Sequence, residues 1–218
     1  DGSAAAELSD ELLSLLLHVL GRRHLPDYWL ESAGEQLAFL RVIAGLGALD
    51  VLPLGAPDGV PDLDVAAPLG LLGVSQGANQ APALLAYAPE IRAAVLVSPG
   101  ARLTEMLIHQ RPDLLLDTLS RIFPALTPTD VWVAMALFQT ALDRQDAHNH
   151  ARFLSGTSVL VIAGQGDSLV PEHASDSLAF QLGLPLLGPD ARSVSFLETA
   201  RAPLRGNLAP GVTGAYVS

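Results

Sequence analysis

Three short runs are apolar almost throughout: "LGLLGV" at 69–74, "AAVLVS" with its apolar stretch at 94–98, and "SVLVIAG" at 158–164. Strands that face solvent on one side alternate apolar and polar residues; strands covered on both faces read as continuous apolar runs. The first run is followed by a helical segment at about 77–87, and the third by the helix-like "PEHASDSLAFQLG". Strand, helix, strand with unbroken apolar strands predicts an α/β fold with a mostly parallel sheet, flanking helices and right-handed crossovers.

The rest of the chain is helix and loop. Leu8, Leu12, Leu16 and Leu20 form a helical stripe that Gly21 ends. Ser32 followed by Glu35 has the pattern of a capping box, and predicts a second helix closed by Gly45 and Gly47. "PLGAPDGVPDLD" is a loop, dense in Pro, Gly and Asp. About sixty residues separate the second and third apolar runs, with no strand character. Within them "TPTDVWVAMALFQTALDR" predicts a helix with Thr127 as N-cap and Pro128 at its first position. Such an insertion is too long for a plain crossover and is read as a helical cap at 101–154, within one domain spanning 1–218.

Composition narrows the function. Of the 218 residues, 50% are hydrophobic and 16% charged, which is globular and not disordered. A formal charge of −11 argues against nucleic acid and anionic membranes as partners, since both need a basic surface. Without cysteine there is no disulfide and no thiolate metal site. "LLSLLLHVL" is too short to span a membrane. "GQGD" lacks the third glycine of a dinucleotide fingerprint, because Leu169 stands there.

Gly73-Val74-Ser75-Gln76-Gly77 is G-x-S-x-G, set between the first apolar run and the helix that follows. Alone the motif is weak; in that setting it predicts a nucleophile elbow. A sharp strand-to-helix turn would expose the Ser75 hydroxyl, and flanking glycines would avoid Cβ clashes. The backbone N–H of Gln76 would face a developing oxyanion. Pro82, one turn into the helix, fits this less smoothly. Asp167 falls in the loop after the third run, 92 residues beyond Ser75. The order Ser then Asp suits a carboxylate that orients a catalytic imidazole.

No histidine is well placed to be that imidazole. His173 lies six residues beyond Asp167 at a helix start, and reads as a surface residue. Asp146, His148 and His150 form D-x-H-x-H, but on a helix these three diverge, so no metal is expected. His18 and His109 sit on helical patterns, and His24 in a loop.

"GVSQGANQAPALLAYAPEIRAAVLVSPG" and "SVLVIAGQGDSLVP" resemble the elbow and acid segments of the α/β-hydrolases of the lipase and esterase type. The resemblance is nearest to large bacterial hydrolases, secreted or lipoprotein-like, with "SQG" in the elbow and "DAHNHARFL" in a helical cap. It covers 70–218 well and 1–69 loosely. It implies Ser75 as nucleophile, Asp167 as acid, Gln76 as oxyanion donor, and cleavage of a small carboxylic ester with no cofactor. A secreted or envelope location follows from the resemblance only. In this family the histidine follows one further strand, and "GVTGAYVS" reads as the start of such a strand. The expectation is therefore a partial α/β-hydrolase fold lacking both ends, with its histidine beyond Ser218 and little activity of its own. Apolar residues of the cap, Leu107, Leu115, Trp132 and Phe138, point to an apolar substrate. The alternatives are an acyltransferase, thioesterase or peptidase of the same fold, or a non-catalytic hydrolase-like binding module.

Overall fold

The computed structural model describes residues 27–218 apart from 53, 55, 111, 113–116, 118–123, 126, 155 and 189–191. The leucine stripe at 8–20, His18, His24 and Leu115 lie outside the described residues.

The three apolar runs become strands β1 (Leu69–Val74), β2 (Ile91–Val97) and β3 (Ser158–Ile162). Two very short strands follow, β4 (Leu186–Leu187) and β5 (Thr199–Ala200), then β6 (Gly214–Val217). All six share one sheet in the order β1-β2-β3-β6-β4-β5, and every pairing is parallel. This is the α/β class with the parallel sheet that the apolar runs predict.

Helix α1 is Tyr28–Gly45, α2 is Gln76–Leu85 and α6 is Glu172–Gln181. Between β2 and β3 come α3 (Leu103–Gln110), α4 (Pro128–Leu142) and α5 (Ala147–Ala151). Ala33 of α1, Ala81 and Leu84 of α2 and Ala179 of α6 are buried in one cluster with Leu96, Val161 and Tyr216 of the sheet. These helices therefore cover one face of it. Small residues on α2 let its backbone sit close to β1 and β2.

Three expectations are corrected. The first strand is not covered on both faces by the described residues: Leu72 and Val74 are 69% and 57% exposed, while Gly73 between them is buried. Alternate side chains on a strand point to opposite faces, and the helices occupy only one. Ser32 does not begin α1. The N-cap is Asp27, five residues earlier, and Ser32 Oγ donates to Gln80 Oε1 of α2 at 3.0 Å. Asp27 makes no capping bond of its own; instead the Trp29 N–H donates to Gln145 Oε1 at 3.0 Å. A distant side chain does the work that the local pattern assigned to Ser32. Pro82, in turn, is fully buried inside a continuous α2, and its carbonyl still accepts from the Ala86 N–H at 3.1 Å. The helix tolerates the missing donor.

Thr127 caps α4 as expected. Its hydroxyl accepts from the Asp130 N–H, and the Asp130 carboxylate accepts from the Thr127 N–H at 2.8 Å, a reciprocal capping box. No helix among the described residues is long and apolar enough to cross a membrane.

Candidate active site

The carboxyl-terminal ends of β1, β2 and β3 lie in register, with Val74 beside Val97 and Val97 beside Ile162. The pairing runs one residue further on each strand. The Ser75 N–H donates to Val97 O at 2.8 Å, Ser98 N–H to Ile162 O at 2.7 Å, and Ala163 N–H to Val217 O at 2.8 Å. Ser75 is thus fixed at the rim of the sheet by its own backbone. Ligand sites of open parallel sheets lie at this edge.

Ser75 has φ 51° and ψ −116°, a conformation that costs a residue with a Cβ about 1–3 kcal/mol. It occupies the N-cap position of α2, where serine ordinarily spends its hydroxyl on the amides of the first turn. Here the hydroxyl makes no capping bond, and the residue is exposed. The strained backbone turns the oxygen away from the helix it precedes. Gln76 is the first helical residue, and its N–H has no partner within the helix.

The two glycines of the motif differ. A Cβ on Gly73 would meet the Ala78 Cα and the Gly77 carbonyl oxygen, each at 2.9 Å, so the close approach of β1 and α2 requires glycine. A Cβ on Gly77 meets nothing within 4 Å. The expectation that clashes require both glycines therefore applies to Gly73 alone.

Asp167 lies in the loop after β3, half-buried. Its Oδ1 accepts from the Leu169 N–H at 2.8 Å and the Val170 N–H at 3.0 Å. The Val170 amide, then that of Leu169 and the hydroxyl of Ser98, hold the carboxyl below its ordinary range, against the partial burial that works the other way. Asp167 is thus an ionised acceptor at neutral pH. The loop is tied further back as well, through Gly166 N–H to Glu172 Oε1 at 3.3 Å.

None of the described histidines hydrogen-bonds to Ser75 or Asp167. His173 Nε2 lies 3.3 Å from Glu105 Oε1, and its ring meets that of His109 edge to face at 5.2 Å. His150 Nε2 pairs with the Arg144 carbonyl at 2.8 Å. Asp146 is a structural acceptor: wholly buried, it caps α5 through the His148 N–H and takes bonds from the Arg102 and Leu103 amides and from Gln139 Nε2. No group of three or more acidic or histidine side chains among the described residues could hold a metal ion.

A cavity of about 470 Å³ opens between α3, α4 and the start of α6. Ile108, Trp132 and Met135 give it an apolar wall, and Arg102, Glu105 and His173 a polar one in which the Glu105 carboxylate meets both of the others. Of the cap residues singled out in the sequence, Trp132 lines it and Leu107 and Phe138 do not; neither Ser75 nor Asp167 lines it.

The parallel sheet carries a strained, exposed serine between its first strand and the helix that follows, the arrangement expected of the α/β-hydrolase-type fold that the sequence resembles. Among solved structures the chain is similar to acetyl xylan esterase 1 from a Thermoanaerobacterium species, at 19% identity and a TM-score of 0.42, over 66% of this chain and 42% of that one. It is also similar to a puromycin-hydrolyzing peptidase of Mycobacterium tuberculosis, at 18% identity and a TM-score of 0.42, over 67% of this chain and 18% of that one. The chain thus spans less than half of each of these neighbours. Neither a protein-family model nor a curated protein matches the sequence.

Proposed function

We propose that the chain is the nucleophile-bearing part of a serine hydrolase that cleaves a carboxylic ester through a Ser75 acyl-enzyme. The observation that carries this reading is the Ser75 backbone. An exposed serine at an N-cap position, strained and with its hydroxyl unused by the helix, has no structural task that explains the strain.

In this reading Ser75 Oγ attacks the ester carbonyl and passes its proton to an imidazole. The Gln76 N–H stabilises the tetrahedral oxyanion. The intermediate collapses, the alcohol leaves with the proton from the imidazolium, and water hydrolyses the acyl-serine by the same route. Asp167 accepts the other imidazole N–H. Two strand spacings, about 10 Å, separate the ends of β1 and β3, a gap in which one imidazole can bond to both groups. The imidazole would stand beside the end of β6, which lies next to that of β3 at the same rim. The helical segment 101–154 acts as a cap, and its cavity beside Trp132 accepts an uncharged apolar part of the substrate.

The test is labelling of the natural full-length protein with a fluorophosphonate probe. Wild type is expected to label at Ser75 and Ser75→Ala not at all. A wild-type full-length protein that stays unlabelled would remove the hydrolase reading in favour of a binding module. Parallel assays with ester, thioester and amide substrates separate esterase from thioesterase and peptidase.

A further inference from the structure

At the opposite end of the sheet from Ser75, two phenylalanines stand in the open. Phe180, near the end of α6, and Phe196, shortly before β5, are 52% and 51% exposed. Their rings meet edge to face, with centroids 5.6 Å apart and planes at 89°. Such a contact is attractive, yet it leaves half of each ring in water, and exposed apolar groups gathered in one place mark binding surfaces. Both rings line a cavity of about 490 Å³ between the end of α6, the approaches to β4 and β5, and the loop after β5. Gly183 and Leu197, which precede β4 and β5, also line it. In a parallel sheet this is the amino-terminal end, whereas Ser75 and Asp167 follow β1 and β3 at the carboxyl-terminal end.

The walls are held by the backbone. The Leu184 N–H donates to Ala179 O at 2.9 Å and the Gly183 N–H to Phe180 O at 3.0 Å, which closes the end of α6. The Leu186 N–H donates to Glu198 O at 2.8 Å, so β4 fixes the backbone of Glu198. Asn207 spends both ends of its amide on Gly214, accepting the N–H at 3.0 Å and donating to the carbonyl at 2.9 Å.

The charge of the lining has one sign. Glu198 is the one charged residue among those that line the cavity, and it enters none of the ion pairs among the described residues. The negative end of the α6 dipole lies at the same place, because the helix ends at Gln181 and Gly183 lines the cavity. Two π faces, a carboxylate and a helix carboxyl end all attract a cation. Hydrogen-bonding capacity is small, since Asn207 is engaged and only Glu198 and Thr199 add polar side chains. A primary ammonium or a guanidinium would lose bonds to water that this lining cannot replace. A quaternary ammonium has no N–H to satisfy.

We propose that this cavity binds a quaternary ammonium group, seated in the corner that the perpendicular Phe180 and Phe196 rings wall with two π faces, with Glu198 as its counter-charge. The site is separate from Ser75 and does not rest on the hydrolase reading. The same head group occurs on free solutes and on lipids, and choline and phosphatidylcholine vesicles tell the two sources apart.

The test is a titration of the full-length protein, with its phenylalanine rings isotopically labelled, followed by NMR. Choline is expected to shift the Phe180 and Phe196 rings saturably. The neutral alcohol in which carbon replaces the choline nitrogen should bind about tenfold more weakly, and so should methylammonium. Phe196→Leu and Glu198→Gln should each weaken choline binding about threefold to tenfold. Their melting temperatures should stay at the wild-type value, because both side chains are exposed. Ser75→Ala should bind choline as wild type does, whatever the outcome of fluorophosphonate labelling. Co-sedimentation with phosphatidylcholine vesicles that Phe196→Leu abolishes would identify a lipid as the source of the head group; protein that stays in the supernatant and binds choline identifies a free solute. Rings that do not move with choline, equal affinity for choline and its neutral isostere, or undiminished binding by Phe196→Leu would overturn the proposal.

Discussion

A methyl group added at Gly73 has nowhere to go. The nearest atoms are the backbone of Ala78 and Gly77, and neither can rotate aside. Gly73→Ala should therefore destabilise the fold by about 1–3 kcal/mol, the usual cost of overpacking. Gly77→Ala, two helical residues into α2 with open space around its Cβ, should be neutral or stabilise by about 0.5 kcal/mol through reduced backbone freedom. Urea midpoints of the two variants check the contrast, and equal losses would mean that the elbow does not have this geometry. The asymmetry was not legible in G-x-S-x-G, where the glycines look equivalent. The pattern fixes the bend but not which side is crowded. Ser98, the residue after β2, was equally hidden: its φ is 47°, but positive φ is readable where Gly or Asn stands, and serine gives no such signal. The strained turn at Ser75 was legible because motif, strand and helix adjoin along the chain at 69–85.

Contacts made within an element were readable, and contacts between elements were not. Thr127 and Asp130 are three residues apart and cap α4 as the sequence predicts. Asp146, by contrast, looked like part of a histidine cluster. Its partners Arg102 and Leu103 lie more than forty residues back. Wholly buried, it takes two amides at the start of α3, one in α5 and the Gln139 side chain of α4. One carboxylate thus fastens α3, α4 and α5 to one another. Removing it leaves three backbone amides without an acceptor, each costing about 1–3 kcal/mol before relaxation, while Gln139 Nε2 keeps its bond to Asp143. Asp146→Ala should lose at least about 3 kcal/mol in chemical denaturation. It should also change the emission of Trp132, which lines the cavity beside Gln139. A loss under 1 kcal/mol would show that the helices are held by apolar packing instead.

Across the whole molecule, parallel pairing of the three long strands followed from their unbroken apolar character, but the order of the sheet did not. The sheet places β6 between β3 and β4, and the two-residue strands β4 and β5 carry too few residues to show a period. What secures β6 in that central place is polar as well as apolar. Tyr216, fully buried, donates its hydroxyl to Asp176 Oδ1 of α6 at 2.7 Å. Arg192 pairs with the same carboxylate and lies 3.0 Å from Glu172 Oε2, whose other oxygen holds Gly166 of the acid loop. Burial, then the bond to Asp176 and its charge, push the Tyr216 hydroxyl well above the ordinary tyrosine value of 10, with Arg192 opposing. A group whose folded value is raised contributes its stability in full below the unfolded value. That contribution is lost as pH rises, because the unfolded chain releases the proton first. The window therefore opens near pH 10 and runs upward. Wild-type stability should fall steadily from there, measured as the urea midpoint between pH 8 and 11. Tyr216→Phe should start about 1–2 kcal/mol lower at neutral pH, having lost a hydrogen bond to a charged group, and fall less steeply. Tyr28 and Tyr87 are exposed and unchanged between the two chains, so they cancel in the comparison. Parallel slopes would place the alkaline sensitivity elsewhere and reduce the Tyr216–Asp176 pair to a neutral packing contact between β6 and α6.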